Sequence, residues 1–411
     1  MKSDRDSRRT ASVSGGLGIS PAAKLLNQGL ALHQLGRLSE AERAYRKAVT
    51  ADEKLADAHH LLGAVLHQQG RSVDGLRAID RAIKRAPQSA PYHLSRGAVL
   101  ATLGLTADAA GSFRRCLGAR PGDPLAFRNL ATAAIGLDEP GTALAASRRA
   151  SLLDSRDPVA WTARAHAARK LGHRDEAAEA CRRAIALDAR QDEARFLLAS
   201  LEGEPDRPPA GYVRGLFDKF APHFDRDLVD RLDYRTPEAL AALISRHLAP
   251  APKSLSILDL GCGTGLAGVA LAPLARSLTG LDLSPGMLAQ AKRRGIYAEL
   301  MEADLVSTRY PHPFDLVVAA DVLNYLGDLA PAFAAIDGAL LPGGALAFSI
   351  ETLSEAGTYR LTSDLRYAHV PDHVRELAAA RGWSERAAEP AVLRRQGDTP
   401  VEGLLFLFRK D

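Results

Sequence analysis

The sequence predicts two domains of different class: an all-α solenoid of helical repeats, followed by an α/β domain whose parallel sheet is covered on both faces. Three observations predict this. Small residues recur every 34 positions through the first half, at Ala41, Gly75, Ala109, Ala143 and Ala177. A proline-rich break follows at residues 203–210. Beyond it, apolar strand-like runs alternate with helical segments, starting from Ile257-Leu258-Asp259-Leu260-Gly261-Cys262-Gly263-Thr264-Gly265.

Residues 1–20 are rich in Ser, Arg and Gly and are expected to be disordered. The whole chain has 411 residues, 46% hydrophobic and 25% charged, which suits a soluble globular protein of two or three domains. Its net charge of +4 divides into +8 through Arg207 and −4 beyond. That asymmetry is too mild to indicate a nucleic-acid partner. No apolar run approaches a membrane span, and no apolar block follows the basic N-terminus, so neither a membrane anchor nor a signal peptide is expected. Cys116, Cys181 and Cys262 are too widely spaced for a disulfide framework or a zinc site, and a cytoplasmic location is expected.

From Ala22 the period of 34 organises every feature. A second row of small residues stands seven positions after the first, at Ala48, Ala82, Cys116, Ala150 and Ala184. Between the rows lie Tyr45, Ile79, Phe113, Ser147 and Cys181. Gly29, Gly63 and Gly97 recur, as do Gly36, Gly70 and Gly104. Small residues let paired helices approach, large ones fill the gaps, and glycine ends the first helix of each pair. Gly75 departs from the pattern, because glycine in a helix interior costs about 1 kcal/mol. The segment resembles the tetratricopeptide repeat, a helix-turn-helix of that length. Five repeats over 22–191 and a capping helix at 192–202 give a helical domain spanning 21–202. The resemblance places His33, Gln34, His60, His67, Gln68, Arg128, His166, Arg169 and Lys170 on a concave groove, a polar surface suited to a protein or peptide partner. No acidic or thiol groups accompany the histidines at ligand spacing, so no metal is expected. Arg114-Arg115, Arg148-Arg149 and Arg182-Arg183 near the ends of second helices complement the helix dipole and need no nucleic acid to explain them.

The break at 203–210 reads as a stiff spacer. After it, Phe217, Phe220 and Phe224 fall at helical spacing. Thr236 is a candidate N-cap with Pro237 at the first helical position.

The glycine-dense bend after Leu260 lets backbone approach a ligand without a Cβ clash. Asp282, about 20 residues on at the tip of the next strand, is placed to accept from two ribose hydroxyls. A pyrophosphate loop wants G-x-G-x-x-G, but Leu266 stands at the third glycine and Asp259 lies just upstream. An acid there repels a pyrophosphate and suits a cationic ammonium or sulfonium. The segment resembles the first motif of the class I S-adenosylmethionine-dependent methyltransferases. The resemblance implies a Rossmann-like, seven-stranded domain over 211–411, with the aromatic segment after residue 211 folding over the cofactor.

Carried over residue by residue, the resemblance assigns the cofactor S-adenosyl-L-methionine to Asp259, Gly261, Cys262, Gly263, Gly265, Asp282 and Leu283. Asp304 would accept from the adenine amino group, with Leu305 under the ring. Ala320, ending the fourth strand, would offer its carbonyl to the ammonium, and Arg235 would meet the methionine carboxylate. Met287 fits either the adenine face or the core. Ser284 reads as an N-cap. Methyl transfer needs alignment and a dry site more than a base. The catalytic candidates are therefore groups near the acceptor: Asn324 and Tyr325 after the fourth strand, beside Asp321, and His369 in the late insertion, where Arg360, Arg366 and Tyr367 cluster. The absence of Asn/Asp-Pro-Pro-Tyr/Phe after the fourth strand, and of a Pro-Cys nucleophile, disfavours methylation of nucleic-acid bases. The expected function is methyl transfer to O, N or S of a small metabolite, with the repeats as an interaction scaffold. Two alternatives remain: a protein or peptide methyltransferase whose substrate the groove captures, and a non-catalytic interaction protein.

Overall fold

A computed structural model of the chain describes residues 19–203, 205–226, 234–310, 312–396 and 399–411. The expectation of disorder falls almost wholly on residues 1–18, which lie outside the described set. The chain forms two compact units. One comprises Met1–Ala101 with Gly111–Pro121, the other Thr102–Ala110 with Gly122–Asp411.

Ten helices pair in the order of the 34-residue period: α1 (Pro21–Gln34), α2 (Leu38–Ala51), α3 (Ala56–Gln68), α4 (Ser72–Arg85), α5 (Ala90–Thr102), α6 (Thr106–Ala119), α7 (Pro124–Gly136), α8 (Pro140–Leu153), α9 (Pro158–Lys170) and α10 (Arg174–Leu187). A lone helix, α11 (Asp192–Glu202), follows. In the first unit the periodic rows explain the packing. A Cβ on Gly63 would meet the Gly75 carbonyl oxygen at 2.6 Å and Ile79 Cγ1 at 2.6 Å. A Cβ on Gly75 would meet the Gly63 carbonyl at 2.7 Å. The helix-breaking residue at 75 is thus what lets α3 and α4 cross closely, which offsets its propensity cost. Gly36, Gly70, Gly104 and Gly172 end first helices with φ between +72° and +80°. Asp138 fills the same turn in the fourth repeat at φ +55°.

In the second unit α12 (Ala210–Phe220) and α13 (Thr236–Leu248) precede an alternation of strands and helices. These are β1 (Leu255–Leu260), α14 (Leu266–Leu271), β2 (Ala275–Asp282), α15 (Pro285–Arg293), β3 (Glu299–Glu302), β4 (Phe314–Ala319), α16 (Ala330–Ala339) and β5 (Leu340–Thr352). A hairpin of β6 (Tyr359–Leu361) and β7 (Tyr367–His369) comes next, then α17 (Pro371–Ala379), β8 (Trp383–Gln396) and β9 (Thr399–Lys410). β3, β2, β1, β4 and β5 are parallel neighbours in that order. β9 runs antiparallel to β5, and β8 antiparallel to β9. These seven strands are the expected sheet. The described sheet has nine, because the β6–β7 hairpin joins the end of β5 at Glu351 and Thr352.

Alternation along each strand fills both faces. Leu258, Leu260, Val317, Leu346 and Phe348 pack with α16 and α17 on one side. Ile257, Leu316, Val318, Ala345 and Ala347 pack with α13 and α14 on the other. Thr236 does not cap α13. Its hydroxyl is buried and donates to the Leu393 carbonyl at 3.1 Å, so Arg235 takes the N-cap position without a side-chain bond. Nor is the proline-rich segment a free spacer. The Gly327 amide donates to Asp206 O at 2.6 Å, the Tyr359 hydroxyl to Asp206 Oδ1 at 2.6 Å, and the Tyr367 hydroxyl to Pro205 O at 2.5 Å.

Candidate functional site

A cavity of about 320 Å³ opens at the carboxyl ends of β1, β2 and β4. Its floor is the bend after β1, made from Gly261, Cys262, Gly263 and Thr264. Asp282 and Leu283 line it from the tip of β2, Asp304 and Leu305 from the segment after β3, and Ala320 to Val322 from the end of β4. Phe217, Phe220 and Phe224 form an aromatic roof. Tyr234, Tyr325, Arg366 and Arg394 close the far end. An apolar wall with a few convergent polar groups is the usual composition of a small-molecule site.

The bend takes its shape from three glycines in the left-handed region, Gly261 (φ +60°), Gly263 (φ +54°) and Gly265 (φ +94°). A Cβ on Gly261 would meet Val322 Cγ2 at 2.4 Å. Asp282, 9% exposed, ties this bend to its own strand. Its Oδ2 accepts from Gly263 N at 2.9 Å and its Oδ1 from Ser284 N at 2.8 Å. Burial raises its pKa above the ordinary carboxylate value. A carboxylate has about four acceptor sites, so these two bonds leave Asp282 with acceptor capacity. Ser284 caps α15 as expected, accepting from Met287 N at 3.0 Å.

Asp259 differs from the expectation. It is 1% exposed, does not line the cavity, and its Oδ2 accepts from the Tyr297 hydroxyl at 2.7 Å. Burial, together with the charge of Asp282, pushes its pKa up to about 7. Side chains alternate along β1, so the acid supports the bend from beneath rather than facing a cation in the cavity. Gly265 also lies outside the lining and serves as the N-cap of α14. Met287 is fully buried and outside the lining, which decides its open reading in favour of the core. Arg235 is exposed and outside the lining, while its neighbour Tyr234 faces the cavity.

Of the three catalytic candidates, only Tyr325 lines the cavity. Its ring meets Phe217 edge-on at 5.3 Å, and its hydroxyl accepts from Arg366 Nη1 at 2.9 Å. Asn324 is fully buried behind it. Its amide donates to Asp321 Oδ1 at 2.7 Å and its carbonyl accepts from Glu351 N at 3.0 Å. His369 is 0% exposed, and its Nε2 donates to Leu326 O at 2.8 Å. Burial holds its pKa down to about 4. His369 does not line the cavity, so it is out of hydrogen-bond reach of an acceptor held there.

Sequence reading missed an ion cluster at the far end. Arg366 pairs with Asp321 at 2.6 Å and Glu351 at 2.7 Å, and Arg394 pairs with Glu351 at 2.8 Å. All four side chains are largely buried. Burial alone would lower the Arg366 pKa, but Asp321, Tyr325 and Glu351 hold it above its ordinary value. Asp321 adopts φ +59°, a conformation uncommon outside glycine, which turns its carboxylate back into this network. Arg394 follows an irregularity in the β8–β9 register between Val392 and Arg394, and such bulges re-aim a side chain. Arg207, in the proline-rich segment, also lines the cavity and pairs with Asp304 at 3.1 Å. Among the described residues no cluster of three metal-ligating groups occurs, and no helix is long and apolar enough to cross a membrane.

Comparison with known proteins gives two kinds of match. A family described as a methyltransferase domain matches residues 258–348. Tetratricopeptide-repeat families match 29–70, 61–124 and 158–191. Methyltransferase-like protein 27 of Homo sapiens is 35% identical over 136 residues, 32% of this chain and 54% of that protein. Trans-aconitate 2-methyltransferase of Methylobacterium nodulans is 38% identical over 159 residues, 38% of this chain and 59% of that one. The match thus spans little more than half the length of these relatives. Among solved structures, the N-methyltransferase NodS from Bradyrhizobium japonicum in complex with S-adenosyl-L-homocysteine aligns with TM-score 0.34 and 23% identity, covering 42% of this chain and 86% of that one. The repeat protein YrrB aligns with TM-score 0.39 and 18% identity, covering 43% and 91%.

Proposed function

From a chain that joins tetratricopeptide repeats to a methyltransferase domain, we propose an S-adenosylmethionine-dependent enzyme that methylates a small metabolite at O, N or S. The observation that carries this reading is Asp282. It is a buried carboxylate at the cavity wall, fixed by the Gly263 and Ser284 amides, with acceptor capacity left for a ribose. Asp304 and Leu305 would take the adenine, and the glycine bend would let backbone approach the nucleoside.

Bound S-adenosylmethionine supplies an electrophilic methyl group and its own leaving group. The chain's residues bind, orient and exclude water. Phe217, Phe220 and Phe224 roof the site, and Tyr325 with Arg366 faces the acceptor. Alignment of this kind is worth roughly 7–11 kcal/mol of barrier. No histidine lines the cavity among the described residues, so the acceptor is best taken as one that reacts without a histidine base. The far end holds two arginines against two carboxylates. That balance favours a neutral or singly charged acceptor over the tricarboxylate in the relative's name. The aromatic roof favours a small acceptor over a folded protein. A cytoplasmic setting suits three buried cysteines that form no disulfide with one another.

Transfer of labelled methyl from S-adenosylmethionine to a small-molecule extract and, separately, to a protein fraction tests this reading. Label in the small-molecule fraction is expected. Label confined to protein would move the assignment to a protein methyltransferase. Binding with no label in either would leave an interaction protein with a nucleoside pocket.

A further inference from the structure

Part of the surface formed by α9, α10 and α11 is covered by the chain itself. The turn joining β6 and β7 runs from Thr362 to Leu365, with Thr362 N donating to Arg366 O at 2.8 Å and Leu365 N to Thr362 O at 3.1 Å. Leu365 adopts φ +61°. A residue with a Cβ is disfavoured there, and glycine or asparagine would serve this backbone better. Leucine's side chain accounts for its presence. It is 4% exposed and packs into a cluster with Ala165 of α9, Cys181 of α10, and Phe196 and Leu197 of α11. Two polar contacts flank it. Arg169 Nη2 donates to Ser363 O at 2.6 Å, and Lys170 Nζ pairs with Asp364 Oδ1 at 2.8 Å. Arg169 and Lys170 are two of the groove residues that the sequence assigned to a foreign partner. The residue after Leu365 is Arg366, which reaches the cavity and holds Tyr325 and Asp321.

We propose that the fifth repeat and the capping helix α11 act in cis as the seat of the active-site hairpin. Leu365, Arg169 and Lys170 are positioning residues that hold Arg366 at the far end of the cavity. This stretch of groove takes the chain's own turn in place of a captured peptide. Only the term "active site" rests on the methyltransferase reading. The seat itself rests on packing. A locally strained turn persists where its surroundings over-determine it, and a buried leucine with two flanking polar contacts supplies that determination.

Hydrogen–deuterium exchange on the full-length protein tests the seat, and Leu365→Gly separates the two accounts of the turn. Glycine relieves the left-handed backbone, so a turn set by its own conformation would exchange more slowly. A turn held by the repeats loses its anchor, and amides 367–369 should exchange roughly tenfold faster or more while β1 and β4 stay unchanged. Unchanged or slower exchange at 367–369 would overturn the proposal. Lys170→Asp and Asp364→Lys should each speed exchange there, and the double swap should restore the rate in part, because Lys170 also pairs with Asp138 at 3.4 Å. A double swap no slower than either single variant would remove the ion pair from the account. Titration of the unmodified chain with S-adenosylhomocysteine, run in parallel, reports on the cofactor separately. Failure there would sink the methyltransferase reading and leave the exchange result standing.

Discussion

Asp218 of α12 accepts from the Ser284 hydroxyl at 2.5 Å and from the Gly286 amide at 3.0 Å. One carboxylate thereby docks the aromatic roof onto the N-terminus of α15, where the helix dipole favours negative charge. The far end of the roof is fastened by Asp225, which accepts from the Thr264 hydroxyl and pairs with Arg294 Nη2 at 2.5 Å. Removing a charged acceptor costs about 1.5–3 kcal/mol where it is well shielded, and Asp218 is only half-buried. Asp218→Ala should therefore weaken S-adenosylhomocysteine binding about tenfold, mainly through faster dissociation, with little change in melting temperature. Stopped-flow displacement measures the rate. An unchanged rate would mean that the roof does not seal the site.

Gly261 tests the bend. Alanine there meets Val322 at 2.4 Å from a backbone at φ +60°. Strain of this kind costs about 1–3 kcal/mol. Gly261→Ala should lower stability by that order and abolish cofactor binding. Gly261→Ala with Val322→Ala should recover stability in part, because only the clash is relieved. Denaturant unfolding reads both variants.

The ion cluster should behave as a unit. Arg366→Met leaves Asp321 and Glu351 facing one arginine, and breaking a buried pair costs about 3–5 kcal/mol. A combined Arg366→Met and Glu351→Met variant should be more stable than Arg366→Met alone, since it removes the uncompensated charge. Equal stability of the two would show that the pairs are effectively solvated.

His369 sets an acid limit. Its folded pKa is about 4 against an ordinary 6.5. Between those values the unfolded chain binds a proton that the folded chain does not. Stability from this group is thus complete above pH 6.5 and falls as pH drops toward 4, by at most about 1.4 kcal/mol per pH unit. His166, half-buried and beside Arg169 and Lys170, also has a pKa of about 4 and adds the same sign. His369→Gln should be less stable at pH 7.5 yet lose less between pH 6.5 and 5. Parallel losses in both proteins would show that His369 is not held neutral.

Features governed by local chemistry were legible in the sequence. The 34-residue rows gave the helix pairs, and the bend with Asp282 gave the cavity wall. The Ser284 cap was legible for the same reason. Groups whose meaning depends on strand facing or distant packing were not. Asp259 looks like a ligand in the motif, but the alternation of β1 turns it beneath the bend. His369 looks like a base by chemistry, yet β7 buries it against Leu326. Arg235 stands outside the cavity and its neighbour Tyr234 lines it, because one residue of offset just before α13 selects which side chain faces inward. Arg394 carried no signal, since its aim follows an irregular register rather than a motif. Arg169 and Lys170 read as open groove because nothing local announces that Asp364 and Leu365, nearly 200 residues on, fill it.

The central claim is that this cavity holds the nucleoside of S-adenosylmethionine on Asp282. Calorimetric titration with S-adenosylhomocysteine, comparing the unmodified chain with Asp282→Ala, tests it most directly. Saturable one-site binding, weakened roughly hundredfold by the substitution, is the predicted result. Equal affinity in the two proteins, or no binding by the unmodified chain, would contradict it.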